Sequence, residues 1–97
     1  MKHLQEIEFE YNDKKFVLKP THKALYKTLK DSGLGNRMDV LIDELGHMNI
    51  EVMYLMFMHF NKDKCTVDEL MEISIPFDVL AAKLGECLAL ITTSEKK

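Results

Sequence analysis

Hydrophobic and polar positions alternate at the start of the chain. Across residues 4–11, Ile7, Phe9 and Tyr11 fall on one side and Glu6, Glu8 and Glu10 on the other, the period-two pattern of a half-buried strand. Asn12-Asp13-Lys14-Lys15 interrupts the alternation, Phe16-Val17-Leu18 resumes it and Pro20 ends it, so this segment reads as a β-hairpin. A turn on Asn12-Asp13 and a turn on Asp13-Lys14 both keep the aromatic side chains on one face, so the pattern leaves the two registers open.

From residue 21 the period changes to that of helices. Thr21 is the expected N-cap of a helix over 22–32, with Leu25, Tyr26 and Leu29 as its apolar stripe and Gly33 as its stop. Met38, Leu41, Ile42 and Leu45 recur at helical spacing and predict a second helix over 37–46. A third, from about 50 to 61, is apolar nearly all round, as expected of a helix at the centre of a core or against a partner. Thr66-Val67-Asp68-Glu69 is a capping box and predicts a short helix over 67–72. Ser74 and Pro76 open a last helix with the stripe Phe77, Leu80, Leu84, Leu88 and Ile91, flanked by Ala81 and Cys87. The expected fold is α+β, mostly α: an N-terminal hairpin packed on four to five short helices, a single domain over 1–93 followed by a polar tail, 94–97.

Composition narrows the function classes. The chain has 97 residues, 46% hydrophobic and 30% charged, a balance that suits one small globular domain. Its longest nearly continuous apolar stretch, Ile50 to Phe60, carries Glu51 and His59 and falls short of the roughly 20 residues that cross a bilayer. The first residues lack the apolar core of a signal peptide. Two distant cysteines, Cys65 and Cys87, read as reduced thiols, with Cys87 in an apolar run. These features predict a cytoplasmic protein. Net charge is −3, and residues 31–97 hold twelve acids against six basic residues, which disfavours nucleic acid as the main partner.

No arrangement of residues predicts catalysis, a metal or another cofactor. Glu44-Leu-Gly-His47 has the Glu-x-x-His spacing of di-iron bundles, but such sites need two copies and further carboxylates. Residues 61–72 resemble a calcium loop with Cys65 where an oxygen ligand belongs and no glycine at the sharp turn; the capping box accounts for Thr66 and Glu69 without an ion. His3, His22, His47 and His59 form no recognised nucleophile–base or zinc pattern. Lys19, Lys23, Lys27 and Lys30 lie near one face of the first helix and its approach, either a solvated face or a stripe for an acidic partner. Met48, Met53, Met56 and Met58 fall close together with Met71 nearby; methionine fills irregular core gaps or lines adaptable binding surfaces.

The layout as a whole resembles the tail assembly chaperones of long-tailed phages and prophages of Gram-positive bacteria. The residues that carry the resemblance are the hairpin Ile7–Leu18, the helix that follows at once from Thr21, the apolar segment Val52-Met-Tyr-Leu-Met-Phe-Met, the capped Thr66-Val-Asp-Glu-Leu70 and the amphipathic stretch from Phe77 to Ile91. The likeness is one of pattern over nearly the whole chain. It implies a non-catalytic protein of the host cytoplasm that keeps the long helical tape-measure protein soluble and assists tail-tube subunits to assemble around it. On that reading Met53, Met56, Phe57 and Phe60 form the client or oligomer surface, with Leu84, Leu88 and Ile91 as a second candidate, and self-association is expected. The alternative is a small phage or plasmid regulatory protein that binds DNA or a repressor.

Overall fold

Both central residues of the hairpin turn, Asn12 and Asp13, have positive φ, 59° and 66°. Asn and Asp tolerate this left-handed conformation better than most residues, and a two-residue turn built from it matches the twist of paired strands. The turn therefore sits on Asn12-Asp13. β1 (Ile7–Tyr11) and β2 (Lys14–Leu18) pair antiparallel, with Phe9 opposite Phe16 and Ile7 opposite Leu18. The computed structural model describes residues 6–92; the start of the expected 4–11 strand segment and the expected polar tail, 94–97, lie outside the described residues.

Five helices follow among the described residues: α1 (His22–Ser32), α2 (Met38–Gly46), α3 (Ile50–Phe60), α4 (Val67–Ile73) and α5 (Phe77–Thr92). Fold class and element order agree with the sequence pattern: a hairpin followed by helices, α+β and mostly α. Local chemistry sets the boundaries. Thr21 Oγ1 accepts the Ala24 amide at 3.0 Å, and Gly33, at φ 78°, turns the chain out of α1. Thr66 and Glu69 form the reciprocal capping box of α4, with bonds of 3.1 and 2.9 Å. Asn49 caps α3 through the Val52 amide, and its Nδ2 donates to Glu44 Oε1 at 2.7 Å, tying the cap to the end of α2.

α3 is the hub. The other four helices all pack on it, and Val52, Met53, Tyr54, Met56, Phe57 and Phe60 are buried along it. The hairpin joins through aromatic rings: Phe9 and Phe16 stack at 5.3 Å, and Phe16 meets Phe57 edge-on at 5.3 Å, a favoured geometry for ring quadrupoles. A backbone clasp holds β2 to the far end of α3. Lys19 donates its amide to the Phe60 carbonyl and Lys62 donates to Val17, both at 2.7 Å, forming a single antiparallel bridge between Leu18 and Asn61. Side chains add two further ties. His59 Nε2 donates to Asp31 at 2.7 Å, linking α3 to α1, and His22 Nε2 donates to the Ile91 carbonyl at 3.1 Å, linking the start of α1 to the end of α5.

The structure corrects the expected stripe of α1. Ala24, Leu25, Thr28 and Leu29 are its buried residues, whereas Tyr26 stands in solvent beneath Lys30, whose Nζ lies 5.7 Å from the ring centroid. Buried Thr28 donates its hydroxyl to the Ala24 carbonyl at 2.9 Å, so its polar group is satisfied inside the helix.

Candidate functional site

The first expected interface is corrected by burial. Met53, Met56, Phe57 and Phe60 are wholly enclosed by the packing around α3, and Leu84 is enclosed with them. The methionines fill the irregular space where four helices and a hairpin converge, the gap-filling use of a flexible thioether. They present no surface in this fold. Of the second set, Leu88 and Ile91 remain half-buried at the edge of the core.

The apolar surface lies elsewhere. Ile42 (53% exposed), Ile50 (47%), Phe77 (45%) and Met48 (43%) are large side chains left in solvent. They flank two open clefts. One, of about 310 Å³, lies between the start of α3, the end of α4 and the start of α5, with Ile50, Tyr54, Met71, Ile75 and Phe77 around it. The other, of about 280 Å³, runs between α2 and α5: Ile42, Leu45 and Met48 form one wall, and Ala81, Gly85 and Leu88 the other. Phe77, Ala81, Gly85 and Leu88 share one face of α5, so a single helix floors both clefts. Small residues at Ala81 and Gly85 keep the floor of the second cleft low; a Cβ at Gly85 would meet nothing within 4 Å.

Met48 is held in place by an unfavourable backbone. It has φ 59° with a non-glycine side chain, a conformation that costs roughly 1–2 kcal/mol. The short link His47-Met48-Asn49 demands it, because the Met48 amide bonds back to Leu45 and the Asn49 amide to Glu44. The result is a strained methionine projecting at the mouth of the second cleft.

The remaining sequence candidates fall into place one by one. Lys19, Lys23, Lys27 and Lys30 are all exposed, and Lys23, Tyr26, Lys27 and Lys30 form one outward strip of α1. Glu44 is bonded to Asn49, while His47 is the exposed C-cap of α2. In the 61–72 loop Glu69 bonds the Thr66 amide, and Asn61 Nδ2 donates to Cys65 Sγ at 3.0 Å. Among the described residues no three His, Cys, Asp or Glu side chains are grouped to hold a metal ion, and no helix is long and apolar enough to cross a membrane.

The two thiols differ in environment. Cys87 is buried, and burial pushes its thiol up to about 12; Cys65 is half-buried in a polar loop. At pH 8 the thiolate fraction of Cys87 is therefore on the order of 1 in 10⁴. Ellman's reagent is expected to titrate Cys65 alone in the native protein and both thiols in guanidinium; two reactive native thiols would show that α5 opens. The sign for stability follows. The unfolded chain loses the Cys87 proton first, so this contribution is whole below the ordinary thiol value of 9.0 and is lost as pH climbs from there towards about 12.

Comparison with protein-family models, with curated proteins and with solved structures finds no match to this chain.

Proposed function

We propose that this chain is a non-catalytic protein-binding module that works in the manner of a phage tail assembly chaperone. Its client would be a long helical protein of the tape-measure kind, kept soluble while tail-tube subunits assemble around it. The observation that supports this reading is the group of exposed apolar side chains at Ile42, Met48, Ile50 and Phe77, gathered around two clefts floored by one helix. Large apolar groups clustered on the surface of a small domain mark a place where another protein docks. A methionine at the mouth suits a client recognised by its apolar stripe and not by one fixed sequence.

The test is co-expression with a long helical protein of the tape-measure kind. Co-purification, with the client held in the soluble fraction and lost on Ile42→Asp or Phe77→Asp, supports the reading. A client that is soluble alone and forms no complex at any ratio removes it. The regulatory alternative draws on the exposed strip Lys23, Lys27 and Lys30, which has no acidic partner among the described residues. A salt-dependent gel shift would favour it, since phosphate contacts release counterions.

A further inference from the structure

The cleft between α2 and α5 has a charge as well as a shape. The two helices that form it, α2 and α5, carry five acids (Asp39, Asp43, Glu44, Asp78 and Glu86) against a single Lys83. That lysine is turned to the hairpin, its Nζ 6.0 Å from the Phe9 ring centroid and 3.7 Å from Glu86. Arg37, just before α2, is paired with Asp39 at 3.0 Å. Asp39 and Asp43 lie three residues before Ile42 and Gly46, on the solvent-facing strip beside the α2 wall. Asp78 lies three residues before Ala81 on α5. Asp39, Asp43 and Asp78 are exposed. The cleft is thus an apolar trough with acidic banks and no unpaired described cation on them.

Its length is also defined. Its α5 side runs from Ala81 to Leu88, about 10 Å or two helical turns. A trough of that length, with small residues on its floor, accepts a helix laid against α5 with apolar side chains at i, i+4 and i+7. The geometry points to one occupant: a basic amphipathic helix from a partner protein, its two-turn apolar stripe in the trough and its lysines or arginines over Asp43 and Asp78. A second copy of this chain fits poorly, because a symmetric pairing would bring the same acidic banks together, and like charges at an interface oppose association. The strain at Met48 agrees with this assignment: glycine would relieve it, yet the position holds a large apolar side chain at the mouth.

This inference rests on the protein-binding reading and names the chemistry of the partner segment. It is tested on the full chain with a defined probe, a fluorescein-labelled helical peptide of about fourteen residues carrying leucine at the stripe positions i, i+4 and i+7 and lysine on both flanks. Its twin has glutamate in place of lysine. Fluorescence anisotropy is expected to show saturable binding of the lysine peptide, weakened by added salt, and at least about tenfold weaker binding of the glutamate twin. Gly85→Leu raises the floor and improves helix propensity, so it is expected to cut binding by about tenfold or more with no fall in melting temperature. Met48→Gly is expected to weaken binding while raising stability, which a purely structural role for Met48 would not produce. Equal binding of the two peptides, no saturation by the lysine peptide, or binding indifferent to Gly85→Leu overturns the assignment. So does a concentration-dependent dimer in sedimentation that Gly85→Leu abolishes, since the trough then belongs to a second copy. Failure with the peptides removes this site; only failure with the co-expressed client removes the wider reading.

Discussion

Phe57→Ala is expected to destabilise the protein by about 3–5 kcal/mol, the range for deleting a fully buried aromatic ring. Phe57 has no exposure and contacts Phe9, Phe16 and Tyr54 at ring-centroid distances of 6.0, 5.3 and 6.2 Å. It is the point at which hairpin and helices meet. The hairpin is a two-stranded sheet, which is marginal in water by itself, so losing the ring removes its main anchor as well as leaving a cavity. Small domains have total stabilities of about 5–15 kcal/mol, so the variant is expected to retain little or none of its folded population on warming. Urea unfolding followed by circular dichroism measures it. A loss below about 1 kcal/mol would mean that the ring does not pack as the structure places it.

The second large effect separates core from surface. Met56→Asp is expected to unfold the chain, because Met56 is wholly enclosed and an unpaired buried carboxylate costs about 3–5 kcal/mol or more. Ile42→Asp, half in water already, is expected to stay within about 1 kcal/mol of the parent. Thermal melts of the two proteins side by side decide the matter. A folded Met56→Asp that loses client binding would return the interface to α3. An unfolded one, beside a folded Ile42→Asp that loses binding, places it along α2 and α5.

How much was legible in the sequence depended on the range of the interaction. Thr21, Gly33 and the Thr66–Glu69 box act over three or four residues, so the ends of α1 and the start of α4 could be read directly. The hairpin was legible from alternation, but its turn was not: Asn12-Asp13 and Asp13-Lys14 offer similar chemistry, and the choice shows only in the backbone angles. The face of α3 was not legible either. An all-round apolar helix suits a core or a partner equally until the convergence of α1, α2, α4 and α5 upon it is known. The clefts were hidden for the complementary reason. Ile42 and Phe77 continue regular apolar stripes, and periodicity records that a side chain is apolar without recording whether another helix arrives to cover it. Met48 left a fainter signal, a large residue inside a helix break where glycine or asparagine is usual.

The clasp between β2 and the end of α3 bears on how the chain reaches this state. It joins Leu18 to Asn61, enclosing α1, α2 and α3 in a loop of about forty residues whose closure entropy must be met before the two amide bonds form. The capped helices need only local contacts and gain structure within about a microsecond, whereas the clasp waits for the whole loop to order. Folding speed is therefore expected to follow the arrival of the hairpin at Phe60, and changes confined to the Leu18–Asn61 junction to slow refolding more than they speed unfolding.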